Sequence, residues 1–555
     1  MGIIAIRKKM GRGLKYLFGA FLIIFAAGIF VSFGPGGGGG RRGPWQSGPG
    51  SVPEGPAVMA RLDDHKITRT SFYSAYLESR RGRTIRVLGD MRDLKLTLLD
   101  QMVHNILIAG AMSAEDIEVT EQDINAAVAR DVESAIRQQF PSGTSPGQYS
   151  KRRLADYLKG AGITIEEFRA RKARELAGTR DYEQSVGFQK LQQSIYGDIK
   201  LSDDDVKAKY RERRVQWIVV RPPGSPLSAS PTGDEPPTAL TAAEDKEAKR
   251  RAGTILKRLR DGADFGQVAV EESADPGSAA DDGYVGYHQR ERFDQELVGT
   301  HLAQQPYARS QRVSLAVYRA ARALEEPIFD SKLGEISEPI RTDWGYVIVR
   351  PSESKENAPD DFDENKERYK TMVEGWARRA RWDRYYYGKL WENATLEVED
   401  PELQAYVALE KGERQTAYRL LTEALEQSNI GHADGPGDAV QNFEFARVAE
   451  MLGKTDEAVQ HYEAAAQTAG AAHDVHMALG RLYKDAGKKA FALRHFQAAS
   501  DAGDTKFREN VEMHRELAQL YEQMGKTLLS QEQEEWVQDF YVEERLRWER
   551  LRAGS

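Results

Sequence analysis

The feature that most limits how this chain can fold is an apolar, uncharged stretch near its N-terminus, YLFGAFLIIFAAGIFVSF, from Tyr16 to Phe33. Its length is close to the roughly 20 residues that a helix needs to cross the hydrocarbon core of a bilayer. No acidic residue occurs before Glu54, and five basic residues precede the stretch: Arg7, Lys8, Lys9, Arg12 and Lys15. This charge pattern predicts a cytoplasmic N-terminus and places the bulk of the chain across the membrane.

The N-terminus is therefore predicted to have three parts: a basic tail (1–13), a single transmembrane helix (14–33) and a Gly/Pro-rich linker (34–56). The linker, GPGGGGGRRGPWQSGPGSVPEGP, has no periodicity and is typical of a flexible tether. A cleaved signal peptide is the alternative, but its apolar region is usually shorter and is followed by a small-x-small cleavage site. The sequence IFVSFGPGG matches that site poorly, which favours an uncleaved anchor in the cytoplasmic (inner) membrane.

The composition of the chain limits the classes of function. A length of 555 residues indicates several domains. A net charge of -8 gives no reason to expect a nucleic-acid partner. The absence of cysteine excludes disulfides, thiolate catalysis and cysteine-ligated zinc, and it suits an oxidising compartment.

Residues 57–213 predict a mainly helical module that begins with a short strand. Four residues stand where helix N-caps are expected: Thr68, Thr120, Thr164 and Ser202. Glu167 completes a capping box with Thr164. A long helical run is predicted with one face flanked by apolar residues. The face holds Leu94, Leu98, Met102, Asn105 and Ala109, and the flanking residues are Leu99, Val103, Ile106 and Leu107. An aromatic-rich helix at 358–398 is expected to complete the module, and its aromatic stripe is interpreted as core.

Residues 214–353 predict an α+β domain. The apolar run VQWIVV and the later YVIVR are interpreted as strands, with a helix between them that begins at a Thr241–Glu244 capping box. Two stretches lengthen this domain: a Pro/Ser-rich loop at about 222–238 and a helical insert at about 298–323. Between the strands lies SADPGSAADDGYVGYH, a loop of small residues and carboxylates.

Residues 399–555 repeat with a period of 34 between Gly453 and Gly487, and Ala458 and Tyr462 recur as Ala492 and Phe496. The second copy, HMALGRLY followed by ALRHF, resembles the tetratricopeptide pattern with histidine in place of tryptophan. This resemblance implies an all-α solenoid that binds a protein partner on its concave surface. The alternative is an array that only caps the chain or makes it dimerise.

No metal or cofactor is expected. His473 and His476 lie three apart on a repeat helix, where packing or exposure is favoured over metal binding. The five-glycine run of the linker is not a phosphate loop, because it follows the apolar segment and precedes no helix.

The first two folded regions resemble a known family. Three segments occur in the order found in SurA/PpiD-type periplasmic folding factors: ARLDDHKI at residues 60–67, LLDQMVHNILIAGAMSAEDIEVTEQDI and YLKGAGITIEEFRARKARELA. GADFGQVAVEESADPGSAADDGYVGY and LEEPIFDSKLGEISEPIRTDWGYVIVRP resemble the parvulin (PpiC-type) peptidyl-prolyl isomerase domain that such proteins carry. The resemblance covers roughly residues 57–398. It implies a chaperone whose partners are unfolded or proline-containing polypeptides.

The resemblance also implies positions for a proline site. Rotating a peptide bond must overcome about 18–20 kcal/mol, so an isomerase has to bind proline in an apolar pocket and favour the twisted amide. Val285 and Phe293 would line that pocket. Leu297 or Leu324 would take the place of the pocket phenylalanine. Asp275 occupies the position at which parvulins carry cysteine or aspartate near the substrate carbonyl.

Two positions depart from the parvulin pattern. Trp217 and Val347 stand where the family holds two facing histidines, and an apolar core pair is the alternative interpretation of both. Three hypotheses remain open. The chain is a membrane-tethered chaperone that holds polypeptides, a prolyl isomerase with a rearranged site, or a tetratricopeptide scaffold that recruits a partner to the membrane. The two replacements favour holding over catalysis.

Overall fold

The computed structural model describes residues 57–80, 87–142, 148–177, 181–225, 227, 240–302, 311–428, 438–468, 472–503 and 510–553. The predicted basic tail, transmembrane helix and linker lie outside these residues. Among the helices that are described, none combines the length and the apolar character required to cross a membrane. The described chain divides into a smaller unit, Asp116–Lys190 with the end of the last helix, and a larger unit that holds the rest.

The larger unit begins with an antiparallel hairpin, β1 (Val58–Leu62) and β2 (His65–Thr68), followed by helices α1 (Arg69–Arg80) and α2 (Gly89–Ala114). The predicted cap at the start of α1 is confirmed, since the Thr68 hydroxyl accepts a hydrogen bond from the Ser71 N–H at 3.2 Å.

The predicted face of α2 is only partly confirmed: the flanking residues Leu99, Val103 and Leu107 are buried, and the centre of the face is not. Leu94, Leu98 and Met102 are only half-buried. The buried side of the helix is carried by other residues: Lys95, Leu96, Leu99, Asp100, Val103, Leu107, Ile108 and Ala111. Two of them are charged, so a pattern of hydrophobicity alone misplaces the face.

The smaller unit contains α3 (Glu121–Gln139), α4 (Lys151–Ala161), α5 (Ile165–Ala177) and the first part of α6 (Tyr182–Tyr196). Two predicted caps are confirmed. The Thr120 hydroxyl accepts from the Asp123 N–H at 3.2 Å, and Glu167 accepts from the Thr164 N–H at 2.8 Å. Its core is a small apolar cluster: Val132, Ile136, Phe140, Leu154 and Phe168.

A four-stranded antiparallel sheet forms the centre of the α+β domain, with strand order β4-β3-β6-β5. The elements from the end of α6 onward are α7 (Asp203–Ala208), β3 (Arg211–Val220), α8 (Ala242–Arg260), α9 (Phe265–Glu272), α10 (Pro276–Ala279), β4 (Tyr284–Gln289), a π-helical segment (Asp294–Leu302), α11 (Gln311–Phe329), β5 (Ile340–Thr342) and β6 (Gly345–Glu356). The described parts of the predicted insert are therefore helical, and the N-cap predicted at Ser202 is confirmed.

Each face of this sheet has its own apolar layer, because successive side chains of a strand point to opposite sides. Ile218, Val220 and Ile348 pack with α8 and α9. Trp217, Val219 and Val347 pack on the other side, with residues of the π-helical segment and α11. Of the Pro/Ser-rich loop at 222–238, only residues 222–225 and 227 are described.

The chain then returns to its beginning. Helix α12 (Lys366–Tyr385) continues as a π-helical turn (Tyr386–Trp391) and leads to β7 (Leu396–Val398), which pairs antiparallel with β1. Tyr386 also lies 2.8 Å from His104 of α2, measured from the hydroxyl oxygen to Nδ1. The aromatic-rich stretch 358–398 is thus part of the same structure as the N-terminal hairpin.

Eight helices follow in four antiparallel hairpins, which we call the C-terminal array: α13 (Pro401–Glu410), α14 (Arg414–Ser428), α15 (Ala439–Met451), α16 (Thr455–Thr468), α17 (His473–Asp485), α18 (Lys489–Ala502), α19 (Asn510–Gln523) and α20 (Thr527–Ala553). Each hairpin turns at a glycine with φ between 70° and 74°, a conformation that side chains disfavour: Gly412, Gly453, Gly487 and Gly525. At Gly480 a Cβ atom would lie 2.3 Å from the Phe496 ring, so only glycine fits there.

Helix α2 packs against α13 and α15 of the array, and we call this contact the junction. Lys95 forms an ion pair with Glu402 in which both side chains are almost fully buried. Arg69 pairs with Asp400 at 2.5 Å, which is also buried. Asp474, at the start of α17, accepts hydrogen bonds from the backbone N–H of Leu88 at 2.7 Å and of Gly89 at 3.1 Å. The beginning of α2 is thus capped by the array.

The junction keeps its charges by pairing them. Burial alone would raise the pKa of Glu402, but the Lys95 ammonium and hydrogen bonds from Lys95, Tyr406 and Gln441 hold that pKa below its usual value. Glu444 behaves differently. It is fully buried, 3.6 Å from Arg92 and 2.9 Å from Arg447, yet burial raises its pKa to about 7. A buried carboxylate is strongly stabilised only where cations and donors surround it closely.

Candidate functional site: an occupied apolar cluster in the α+β domain

The two positions that depart from the parvulin pattern lie side by side at the centre of the sheet. Trp217 faces Val349 across the β3–β6 pair, and Val219 faces Val347. Trp217 and Val347 have no exposed surface and belong to the same apolar cluster, as the core-pair interpretation predicts. Gly283 allows this packing, because a Cβ there would lie 2.8 Å from the Trp217 carbonyl oxygen.

Asp275 lies directly against this tryptophan. It precedes α10, is only 4% exposed, and accepts a hydrogen bond from the Trp217 indole N–H at 3.0 Å. The same N–H lies 3.0 Å from the Ser278 hydroxyl oxygen. The turn is held in place by the Ala274 N–H, which donates to the Val219 carbonyl at 2.7 Å. An indole therefore binds Asp275 where the family pattern has a histidine, and an indole does not titrate near neutral pH.

The predicted pocket residues come together, but they are not open to solvent. Val285, Phe293, Leu297 and Leu324 all pack in the cluster that holds Trp217. Leu297 and Leu324 have no exposed surface, and Phe293 is 3% exposed. Val285 is half-buried. The assignment of these four residues to substrate binding and of Asp275 to catalysis stays a prediction. In the structure, Phe293, Leu297 and Leu324 are part of a closed core.

Three residues that the sequence did not single out close the cluster: Leu227, Val298 and Leu302, each with no exposed surface. Val298 and Leu302 stand four apart in the π-helical segment, so their spacing could have indicated a shared face. Leu227 gave no such signal, because it is a single leucine among prolines and serines. Its N–H donates to the Ala274 carbonyl, the residue before Asp275, at 3.4 Å.

A buried arginine fixes the beginning of the loop that carries Leu227. Arg221 is 1% exposed and donates to the Trp344 carbonyl at 2.7 Å and to the Ser225 carbonyl at 3.1 Å. Burial lowers the pKa of Arg221 from its usual value. Since arginine stays charged in proteins, these carbonyls serve as its solvation shell.

The insert is fixed on its outer side to helix α12. Asp294 pairs with Arg379 at 2.9 Å, and the rings of Tyr318 and Tyr387 lie 5.6 Å apart. Gly388 lets Tyr318 approach, since a Cβ there would meet its hydroxyl at 2.6 Å. The inner side of the insert covers the apolar cluster while the outer side contacts the helix that returns to the N-terminal hairpin.

The chemistry that this cluster can offer is limited to shape, apolar contact and the Trp217–Asp275 hydrogen bond. Within the residues that the structure covers, no group of three or more His, Cys, Asp or Glu side chains is placed to hold a metal. His473 and His476 belong to helix α17, and His476 lies 3.1 Å from His495, between the two Nδ1 atoms.

Two protein families match this chain. The family described as PPIC-type PPIASE domain matches residues 234–353, and the SurA-like N-terminal domain matches residues 5–180. The foldase protein PrsA of Staphylococcus aureus is 30% identical over 131 residues, which are 23% of this chain and 31% of that protein. The match thus spans about a third of the length of this curated relative.

Two solved structures are similar at lower identity. PrsA from Bacillus anthracis, a peptidylprolyl isomerase, is 18% identical, and the match covers 53% of this chain and 98% of that one with a TM-score of 0.21. A SurA-like chaperone from Campylobacter jejuni, in a study of PEB4 and Cj1289, is 17% identical and covers 51% and 96% with a TM-score of 0.17. The chain is thus similar to a SurA-like N-terminal domain over residues 5–180 and to a PPIC-type PPIASE domain over residues 234–353.

Proposed function

We propose that this protein is a membrane-tethered, extracytoplasmic folding factor that holds unfolded or translocating polypeptides. The SurA-like domain and the isomerase-like domain would both bind clients, and the second would bind without efficient catalysis. The observation that carries this proposal is the pair Trp217 and Val347, which are fully buried in an apolar cluster where the resemblance expects two histidines. Catalysis needs groups that favour the twisted amide over the planar one, whereas holding needs only apolar surface.

A folding assay tests this proposal. The chain from residue 57 is expected to suppress the aggregation of a chemically unfolded client at near-equimolar ratio, because unfolded chains expose apolar segments. In parallel, a proline-containing tetrapeptide is expected to isomerise at the uncatalysed rate, which takes tens of seconds or longer. A large acceleration at micromolar protein would favour the isomerase hypothesis, and loss of that rate in Asp275→Ala would assign a role to this residue.

We further propose that the C-terminal array is a tetratricopeptide solenoid. The glycine at each hairpin turn and the Gly480–Phe496 contact support this assignment. Its first two hairpins would serve as a brace for the N-terminal module, because α2 packs against α13 and α15. A partner protein, if the array recruits one, would then use the later hairpins. Pull-down with the chain carrying surface substitutions at Arg481 and Glu516, an exposed pair in those hairpins, tests that role.

The anchor and the location of the protein belong to the same proposal. The apolar segment 16–33 with its preceding basic residues supports a single-pass topology with the N-terminus in the cytoplasm. Protease added to intact spheroplasts is expected to digest the chain beyond residue 56 and to leave a tag at residue 1 protected. Digestion of the tag would contradict this orientation.

A further inference from the structure

We infer that Leu227 is an internal occupant of the client site of the isomerase-like domain, and that a client peptide binds by displacing it. The ligand class follows from the occupant: an extended peptide with one branched aliphatic side chain, on a residue that has a backbone N–H to donate. This inference rests on the proposed client binding, and it names the site and the side chain that the site accepts.

The place of Leu227 supports this inference. Its side chain has no exposed surface and packs in the same cluster as Phe293, Leu297 and Leu324, the residues predicted to line the pocket. It is carried by the loop that lengthens this domain, and not by a strand or helix of the sheet's own core. Leu227 therefore fills the predicted ligand site from a loop, in the position that the side chain of a bound peptide would take.

The backbone of Leu227 also behaves like that of a bound peptide. Its N–H donates to the Ala274 carbonyl at 3.4 Å, and Ala274 directly precedes Asp275. Peptides commonly bind by donating backbone hydrogen bonds to a fixed chain while alternate side chains enter pockets. The contact thus gives the register: the peptide residue whose N–H reaches Ala274 places its side chain in the cluster.

The other two residues that close the cluster are held more firmly. Val298 and Leu302 belong to the π-helical segment, whose first residue, Asp294, pairs with Arg379 of α12. Helix α11, which continues the insert, contacts the π-helical turn after α12 through Tyr318 and Tyr387. Removing the insert would break these contacts as well, whereas removing Leu227 breaks one long backbone bond and its apolar packing. Displacement of Leu227 is therefore the least costly way for a ligand to enter.

Peptide binding by the full chain in lipid nanodiscs tests this inference. The probe is a fluorescein-labelled peptide that copies residues 222–230, PPGSPLSAS, with a matched peptide in which the leucine is serine. Leu227→Ser is expected to bind the leucine peptide at least tenfold more tightly than the wild type does, because the internal competitor is gone. It is expected to show no binding of the serine peptide. Leu528→Ser, at a leucine that is 77% exposed on α20, is the control and should bind as the wild type does.

A second variant keeps the test decisive if Leu227→Ser folds poorly. The chain has no cysteine, so Leu227→Cys introduces a single thiol. While seated, this thiol should react with a maleimide at least tenfold more slowly than the thiol of Leu528→Cys. Excess leucine peptide should speed its labelling at least fivefold, and the serine peptide should not.

The outcomes separate this inference from the proposed function. Equal peptide affinities in wild type and Leu227→Ser, or labelling that the leucine peptide does not change, would overturn the displacement of Leu227 even if the wild type suppresses client aggregation. Peptide-dependent labelling in a protein that fails to suppress aggregation would support the site and refute the holding function. Tight binding of the serine peptide would refute the assigned side-chain class.

Discussion

Two regions of this molecule that could receive a partner are covered by the chain itself. One is held by buried ion pairs and the other by apolar packing. On the C-terminal array, helices α1 and α2 are held by buried ion pairs, Arg69 of α1 with Asp400 and Lys95 of α2 with Glu402. In the isomerase-like domain, Leu227 is held by apolar packing and one backbone bond. Breaking one partner of a buried ion pair costs about 3–5 kcal/mol, while burying a leucine contributes about 1.5–3 kcal/mol. The junction is therefore a firm structural contact, whereas the contact of Leu227 is weak enough for a peptide to compete with it.

The largest expected effect on the free energy of unfolding is at the junction. Lys95→Met leaves Glu402 buried without its main cation, and we expect the free energy of unfolding to fall by about 3–5 kcal/mol in urea titrations. The double variant Lys95→Met/Glu402→Gln should recover part of this loss because no uncompensated charge remains. Lys249→Met, at an exposed lysine of α8, should change it by less than about 0.5 kcal/mol. A small effect at Lys95 would remove the distinction between the two regions.

A pair of leucine truncations sharpens the comparison inside the apolar cluster. Leu324→Ala removes a side chain from a fixed helix and should lower the free energy of unfolding by about 2–5 kcal/mol. Leu227→Ala should lower the free energy of unfolding by no more than about 2 kcal/mol. A loop can relax into the vacated space, so the loss is the free energy of burying the leucine side chain, without the added cost of a cavity. Chemical denaturation of both variants measures the difference. Equal losses would mean that Leu227 is as firmly built in as the helix.

The hydrogen bond beneath the cluster gives a smaller effect. Trp217→Phe keeps most of the apolar volume but removes the N–H that binds Asp275 and Ser278, and we expect a loss of about 1.5–3 kcal/mol. A double-mutant cycle with Asp275→Ala isolates the interaction, since residues in direct contact show non-additive effects. Additive losses would show that the tryptophan acts by packing alone.

The smallest expected effect is the pH dependence of the free energy of unfolding that arises at the junction. Burial raises the pKa of Glu444 to about 7, above the value of about 4.3 for a solvated glutamate. Between these values the folded chain binds more protons than the unfolded chain, so the free energy of unfolding falls as pH rises from about 5 to 7.5. Glu444→Gln should flatten this slope by about 1–2 kcal/mol across the window. Asp474, whose pKa burial raises to about 6, would carry the slope that remains. An unchanged profile in Glu444→Gln would assign the slope elsewhere.

Several elements could be predicted because their cause is local. The caps at Thr120, Thr164 and Ser202 depend on a hydroxyl and an N–H three residues apart, and the structure has each of them. The face of α2 could not be predicted in this way. Lys95 and Asp100 are buried there because distant parts of the chain surround them, and no local pattern marks a charged residue as buried.

The candidate site likewise has features that the local sequence predicts and features that depend on distant parts of the chain. The apolar runs VQWIVV and YVIVR, with a helix between them, are sufficient to predict an α+β domain. The family resemblance adds that Trp217 and Val347 stand at the two altered positions. They do not determine whether the pocket is open. That depends on Leu227, Val298 and Leu302, which arrive from two separate insertions.

The sequence by itself determined several helix starts and the charge asymmetry around residues 16–33, since each follows from composition and short-range spacing. Only the tertiary structure decided that α2 turns a lysine toward the array and that a loop leucine fills the predicted proline pocket. Both contacts join residues far apart in the chain, and their stability comes from desolvation, which depends on what surrounds a side chain in the folded protein.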